Sequence, residues 1–243
     1  MSKSAIVVVR HACDGGTKPS PQTLPFNANI KFNNQGTYTK INADNSITIP
    51  INWLGGLGLK QAANLGVALP KLLKDYCPVS RIITEDVGNG HDGTSNPLHT
   101  ISFYANNINK DQNISFDIFN GGAVPSPETF NVDTLLKDGK GKFSTVICWE
   151  AMGMWRQGSG TPYYKKSILG LLGHCGPNGE KVNNYNQIKE NSPYKGQIIY
   201  IFECNDDSSL NLKIYNLDGT NFTDITGASH WPGNMCPKSE QHD

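Results

Sequence analysis

The chain lacks the features that define several common classes of protein. It has no net charge, since 21 lysine and arginine residues balance 21 aspartate and glutamate residues. No global field therefore draws it to nucleic acid or to an anionic membrane. It also lacks an apolar run near the ~18 residues that span a bilayer, and its first residues do not resemble a signal peptide. We expect a cytoplasmic protein with no nucleic-acid and no membrane partner.

Closely spaced cysteine pairs are also missing. The six cysteines are scattered without a Cys-x-x-Cys pair, which argues against a structural zinc site and against a compact disulfide scaffold. Most are expected to be free thiols, with Cys148 and Cys204 buried in apolar strands. Cys13 is the one candidate for chemistry, although an unreactive loop cysteine is the simpler interpretation. We expect neither a metal nor a cofactor.

The length and the order of elements favour one large α/β domain. With 243 residues, of which 37% are hydrophobic, the chain can bury a substantial core. Helical and strand-like segments alternate, which predicts a three-layer α/β/α sandwich with a mostly parallel central sheet. The predicted helices lie near 57–75, 95–106, 128–137 and 163–173, and the predicted strands at 5–9, 81–84, 114–119 and 145–149.

Two segments depart from this alternation. Residues 12–53 form a long polar insertion with a predicted hairpin, in which strands at 37–41 and 46–51 flank a turn at 43–45. Because long loops at strand ends are often lids, we expect this segment to lie over the site. Near the carboxyl terminus, 198–203 and 210–215 predict an antiparallel hairpin at the sheet edge. An irregular tail is expected from about 218.

The first strand runs directly into Arg10 and His11. Its residues, Ala5 to Val9, are continuously apolar, as expected for a strand buried on both faces. Open α/β sheets build their sites at the carboxyl ends of such strands. Guanidinium donors can clamp the non-bridging oxygens of a phosphoryl group, and a neutral imidazole nitrogen can attack phosphorus. The pair therefore indicates a site for a phosphorylated or other anionic small molecule.

Four blocks of sequence resemble the histidine phosphatase (phosphoglycerate mutase-like) superfamily. Arg10-His11-Ala12 resembles its Arg-His-Gly signature. The other three blocks follow in the family's order: Leu54–Leu65 is similar to Leu-Thr-x-x-Gly-x-x-Gln-Ala-x-x-Leu, Asn96–Ile101 to Arg-Pro-Leu-x-Thr-Ile, and Val146–Ala151 to the segment that ends in Trp-Glu-His.

The resemblance implies phosphomonoester hydrolysis through a phosphohistidine. Arg10 would bind phosphate, His11 would attack phosphorus, and Glu150 would donate a proton and later accept one from water. Two residues depart from the family pattern, because Asn96 and Ala151 stand where the family has a second Arg and a second His. Each lost donor typically costs ~10²- to 10³-fold in rate, so we expect weak or altered activity.

Two further candidates could line the pocket, and two other functions remain open. His99 could turn toward the space that the second Arg would fill, and Cys13 lies close to His11 in sequence. The first alternative is a phosphatase-like protein that binds a ligand without catalysis. The second is an enzyme in which Glu150 or Cys13 runs a different reaction. The sequence leaves the substrate and the oligomeric state open.

Overall fold

A computed structural model describes residues 2–13, 21–36, 38–49, 54–88, 95–108, 110–121, 130, 132–136, 141–150, 167–174, 197–205 and 210–229. These residues form a sheet of eight strands, a small antiparallel sheet of three strands, and four helices. The strands are β1 (Ala5–Arg10), β2 (Gln22–Pro25), β3 (Ile30–Asn34), β4 (Lys40–Ile41), β5 (Ser46–Ile49), β6 (Val79–Gly88), β7 (Ile114–Gly121), β8 (Ser144–Trp149), β9 (Gln197–Cys204), β10 (Leu210–Asp218) and β11 (Asn221–Asp224). The helices are α1 (Gly56–Leu72), α2 (Asn96–Asn107), α3 (Val132–Leu135) and α4 (Ile168–His174).

The large sheet is mixed. Its strand order is β11-β10-β9-β1-β8-β6-β7-β3, in which β1, β8, β6, β7 and β3 are parallel to one another. The strands β9, β10 and β11 continue the sheet beyond β1 in antiparallel pairs. The predicted α/β class is therefore confirmed. The carboxyl ends of β1, β8 and β6 lie side by side, which is the geometry that a strand-end site requires.

The central strand β1 packs on both of its faces. Alternate side chains of a strand point to opposite faces of a sheet. Ala5, Val7 and Val9 join a hydrophobic cluster with residues of α1 and α2, which defines the α1–α2 face. Ile6 and Val8 join a second cluster with residues of α3 and α4, which defines the α3–α4 face.

Helices α1 and α2 pack closely against each other. The buried residues of α1 recur every three or four positions, as expected for a helix with one apolar face. At the crossing, a Cβ atom on Gly66 would lie 2.9 Å from the Phe103 backbone, so glycine permits the close approach. None of the helices in the described residues is long and apolar enough to cross a membrane.

The insertion at 12–53 contributes to the core. Strand β3 pairs in parallel with β7 at the edge of the large sheet, and Ile47 and Ile49 are buried in the cluster of the α1–α2 face. The predicted hairpin is confirmed, since β4 pairs antiparallel with β5 across a turn in which Asn45 has φ of 61°. The lid stays a prediction, because residues 14–20 and 50–53 lie outside the described residues.

The predicted carboxyl-terminal hairpin is confirmed. The prediction of an irregular tail from about 218 is wrong for Asn221–Asp224, which form β11. Strands β9 and β10 pair as predicted, and β11 pairs with the end of β10 through Asp218 and Asn221. Gly219 has φ of 60° and supplies the left-handed conformation in this two-residue turn. The strand was missed because all four of its residues are exposed, so the sequence shows no apolar alternation there.

A hydrogen-bond network around Glu203 of β9 connects β10 to the segment that follows α1. Glu203 lies opposite Ala5, and its carboxylate is only 6% exposed. It accepts hydrogen bonds from the Tyr76 hydroxyl at 2.5 Å and from the Lys213 ammonium at 2.7 Å. Burial acts to raise the pKa of Glu203, but the bonds from Lys213 and Tyr76 outweigh it and hold the pKa below its ordinary value of 4.5.

The network around Glu203 predicts that the difference in stability between wild type and Glu203→Gln depends on pH. At neutral pH, Glu203→Gln is expected to lower the free energy of unfolding by about 1–2 kcal/mol, because bonds to a charged acceptor become bonds to a neutral one. A lowered folded-state pKa means that ionised Glu203 stabilises the fold above the unfolded-state pKa, and that this contribution is lost as pH falls through the folded-state pKa. Urea unfolding at about pH 7, 5 and 3 should show the difference shrinking below 4.5. A constant difference would contradict this role.

Candidate functional site

The structure brings two of the predicted catalytic residues, His11 and Glu150, to neighbouring strand ends. Arg10 is opposite Trp149 in the parallel pair of β1 and β8. The His11 N–H donates to the Trp149 carbonyl at 3.2 Å, so the ladder continues one residue past the end of β1. His11 and Glu150, which follow these two residues, are therefore side by side at the carboxyl edge of the sheet.

A backbone contact fixes the tautomer of His11. Its Nδ1 lies 2.7 Å from the Ala12 carbonyl oxygen. Because a carbonyl can only accept a hydrogen bond, Nδ1 must carry the hydrogen. In the neutral ring Nε2 then has the lone pair, and Nε2 is the nitrogen that can act as a nucleophile or a base.

The loop that follows β1 is held by both long helices. The Ala12 N–H donates to Thr100 Oγ1 of α2 at 3.0 Å, and the Cys13 N–H donates to Gln61 Oε1 of α1 at 2.8 Å. A Cβ atom on Gly58 would overlap the Cys13 carbonyl oxygen, so α1 reaches the loop only because this position is glycine. These contacts give residues 11–13 a fixed conformation.

Arg10 lies on the other side of the strand end from His11. Alternation places it on the α3–α4 face, where its charge acts on the buried Tyr200. Burial raises the pKa of the Tyr200 hydroxyl well above its ordinary value, and the positive charge of Arg10 opposes that rise. A ligand that touches both Arg10 and His11 must therefore sit over the end of β1 rather than on either face.

A buried carboxylate, Glu85, completes the row of strand ends and was not predicted. It ends the regular part of β6, is 2% exposed, and accepts the Glu150 N–H at 2.6 Å. Its negative charge also adds to the effect of burial in raising the pKa of the Cys148 thiol. No sequence motif marks Glu85, since it simply follows an apolar strand. A carboxylate here opposes the binding of a highly charged anion.

The insertion contacts the same edge of the sheet by hydrogen bonds to Asp86, the residue after Glu85 in β6. The Asp86 carboxylate accepts the backbone N–H groups of Tyr38 and Thr39 at 2.8 and 2.7 Å. These two residues precede β4, so the insertion crosses the end of β6 beside the candidate site. The bonds anchor the segment and leave its predicted lid role open.

Asn96, one of the predicted substrate-binding residues, lies at the start of α2. It is the first residue of α2 and is fully buried. It precedes by one helical turn Thr100, which binds the loop at Ala12, so both lie on one side of the helix. Asn96 can offer an amide donor to this region but no positive charge. Ala151, the other departure, lies outside the described residues.

His99 is a poor substitute for a missing positive charge. It stacks on Phe103, one helical turn further along α2, with ring centroids 5.8 Å apart. Burial lowers the pKa of His99 to about 4, so the ring is neutral at neutral pH. A neutral imidazole can donate one hydrogen bond, but it adds no charge for a phosphoryl group.

The proposed chemistry of a Cys13 thiol does not apply to this structure, because Cys13 is disulfide-bonded. The expectation of thiols without a disulfide holds for the other cysteines in the described residues, Cys77, Cys148 and Cys204, which are buried. Sequence spacing alone did not indicate the disulfide. Its effect on the site is structural, since it ties down the residue that also binds Gln61.

Two helix starts face this region. Among the described residues, no N-cap side chain bonds to the first turn of α1 or α2, and neither first turn contains an acidic residue. Ser95, the residue before α2, is fully buried, and its hydroxyl makes no hydrogen bond within the described part of the chain. The backbone N–H groups at helix starts attract anions.

Comparisons with known proteins give no match that bears on the site. No family model matches the chain, and neither a curated protein nor a solved structure does. Within the residues that the structure describes, no group of three or more His, Cys, Asp and Glu side chains is arranged to hold a metal ion. The interpretation of the site therefore depends on its own geometry.

Proposed function

We propose that the protein binds the phosphoryl group of a small phosphomonoester over the end of β1 and hydrolyses it slowly through a phosphohistidine on His11. The observation that carries the proposal is the hydrogen bond from His11 Nδ1 to the Ala12 carbonyl, because it leaves the lone pair on Nε2. The adjacent strand end supplies Glu150, which can exchange protons with the leaving group and with water.

The proposed reaction has two steps. In the first, Nε2 of His11 attacks phosphorus, the bond from phosphorus to the ester oxygen breaks, and Glu150 in its acid form protonates the departing alkoxide. In the second, the Glu150 carboxylate takes a proton from water, and the resulting hydroxide displaces the imidazole. Phosphate leaves, and both side chains return to their starting forms. Arg10 binds the non-bridging oxygens throughout.

Slow turnover follows from the charges around the site. Asn96 replaces a cation with a neutral amide, and neutral His99 does not compensate for it. Glu85 adds a buried negative charge beside Glu150. Each of these features weakens the stabilisation of charge that develops on a phosphoryl group.

A second candidate, ligand binding without turnover, is favoured by the same Glu85 contact. Its carboxylate already binds the Glu150 backbone, next to the proposed proton donor. In that case the strand end would hold a less charged ligand, and His11 would only donate or accept a hydrogen bond. Measuring phosphoryl transfer separates the two candidates.

Two further predictions from the sequence go with this proposal: the three-layer arrangement and the cytoplasmic location. The clusters on opposite faces of β1 support a three-layer α/β/α arrangement around the site. The cytoplasmic location stays a prediction, and the disulfide at Cys13 weighs against it, because disulfides persist mainly in oxidising compartments.

The test is to trap the intermediate on the wild-type protein. The protein is mixed with p-nitrophenyl phosphate and quenched in alkali, where phosphohistidine survives, and its peptides are analysed by mass spectrometry. We expect one phosphoryl group on the peptide that contains His11, and its loss after acid treatment. Nitrophenol release with no phosphate on His11 at any quench time would contradict the mechanism. Phosphate or vanadate binding with no turnover would favour the second candidate.

A further inference from the structure

One peptide group connects Gln61 to the ring of His11. The carbonyl of the Ala12–Cys13 peptide accepts the hydrogen bond from His11 Nδ1 at 2.7 Å. The N–H of the same peptide donates to Gln61 Oε1 at 2.8 Å. Both polar atoms of one peptide are therefore engaged, one by the candidate nucleophile and the other by a side chain of α1 that is 5% exposed.

We propose that Gln61 is a positioning residue that sets the tautomer and basicity of His11 through the Ala12–Cys13 peptide. A hydrogen bond accepted from the N–H of a peptide polarises that peptide, so its carbonyl becomes a stronger acceptor. A stronger acceptor holds the hydrogen on Nδ1 and keeps the lone pair on Nε2. The catalytic consequence of this inference rests on the function proposed above.

The surroundings keep this peptide in one orientation. On the α1 side, Gly58 is one turn before Gln61 and lies against the Cys13 carbonyl. On the α2 side, Thr100 Oγ1 accepts the N–H of Ala12. These contacts hold the Ala12 N–H and the Cys13 carbonyl, the groups on either side of the Ala12–Cys13 peptide, so the peptide between them has little freedom to turn. The side chain of Gln61 is held in a helix rather than in a loop, which favours a constant geometry.

The same connection stabilises positive charge on the ring. When Nε2 bonds to phosphorus, Nδ1 keeps its hydrogen and the imidazole becomes cationic. The Nδ1–H then donates more strongly to the Ala12 carbonyl, and Gln61 strengthens that carbonyl as an acceptor. By the same reasoning Gln61 raises the pKa of His11, because a cationic ring gains more from a strong acceptor than a neutral ring does.

Two substitutions of Gln61 test the inference, because they should have different effects on the tautomer and pKa of His11. Gln61→Met keeps the length of the side chain and removes the acceptor. Gln61→Glu keeps an oxygen acceptor, as a carboxylate or as a neutral acid. Gln112→Met is the matched control, since Gln112 donates to the Val79 carbonyl at the start of β6, far from the strand ends. Thermal unfolding of each variant confirms that it folds.

The direct readout is ¹⁵N NMR of the His11 ring as a function of pH, which reports both tautomer and pKa without requiring catalysis. In Gln61→Met we expect a smaller fraction of the Nδ1–H form and a lower pKa of His11. In Gln61→Glu we expect the wild-type tautomer and an equal or higher pKa. With p-nitrophenyl phosphate, Gln61→Met should lower kcat by about 10-fold and change KM by less than about 2-fold.

These results separate the inference from the proposed function. If the His11 tautomer and pKa are unchanged in a folded Gln61→Met protein, or shift equally in Gln112→Met, Gln61 does not position the ring. If Gln61→Met does not fold, a His11 pKa in Gln61→Glu below that of wild type overturns the inference. A shifted ring in a protein that never forms phosphohistidine supports the connection and removes the phosphatase function.

Discussion

Replacing His11 with Gln is expected to abolish the hydrolysis of p-nitrophenyl phosphate, with a loss of at least ~10³-fold in kcat. Glutamine offers no lone-pair nitrogen, so no bond to phosphorus can form. His99 does not take over, because it is stacked on Phe103 within the helix pair. Lys31→Gln, an exposed change on β3, is the control and should leave the rate unchanged. Equal rates in His11→Gln and wild type would show that the activity belongs to a contaminant.

A substitution of Arg10 tests the proposed contact with the phosphoryl oxygens separately. Arg10→Lys keeps the charge but loses the planar, two-pronged donor set that matches phosphoryl oxygens. We therefore expect a loss of about 10- to 10²-fold in kcat/KM, smaller than the loss in His11→Gln. Steady-state kinetics measures both variants. A lysine that serves as well as Arg10 would mean that the guanidinium makes no direct contact with the phosphoryl group.

Gly58→Ala is expected to damage both the fold and the site. The new methyl group would overlap the Cys13 carbonyl, so either α1 or the loop after β1 must move. We expect a loss of about 3 kcal/mol in the free energy of unfolding, within the range of strongly overpacked sites. Because Cys13 would shift away from Gln61, catalysis should fall as well.

Gly56→Ala provides a matched control for this change. Gly56 is in the same helical turn, and nothing lies within 4 Å of where its Cβ would be. Alanine there should be neutral or stabilise the protein by roughly 0.5–1 kcal/mol, through better helix propensity. Urea unfolding of both variants measures the contrast. Similar stabilities for the two variants would mean that the loop accommodates the methyl group, and that the close contact at Gly58 does not fix it.

The sequence predicted the parallel half of the sheet well because those strands are continuous apolar runs. Residues 5–9 and 145–149 are buried on both faces, and such runs are easy to recognise. Strand β3 was missed because its exposed residues, Lys31 and Asn33, belong to a polar stretch. Strand β11 was missed because it is fully exposed. Edge strands are often short and polar, which keeps them from pairing with other chains, so their sequences carry little apolar pattern.

The site was predictable where the chain itself brings residues together. Arg10 and His11 are adjacent in sequence, and their strand-end position follows from the apolar run before them. Glu85 was not predictable, because its place beside Glu150 depends on how β6 and β8 are registered. The contacts of Gln61 and Thr100 with the loop were missed for a similar reason. Both lie in the family-like blocks, but their contacts are with backbone N–H groups of the loop, and the sequence carries no mark of such contacts.

The pairing of β1 has a consequence for how the protein folds. Residues 5–10 are synthesised well before their neighbours in the sheet, residues 145–149 and 199–203. Strand β1, which His11 follows, therefore cannot complete its pairing until residues 145–203 have been made. Such distant pairing slows folding and leaves an apolar segment exposed to aggregation in the meantime. The folded surroundings of His11 are thus acquired late, and a nascent chain should depend on protection of residues 5–10.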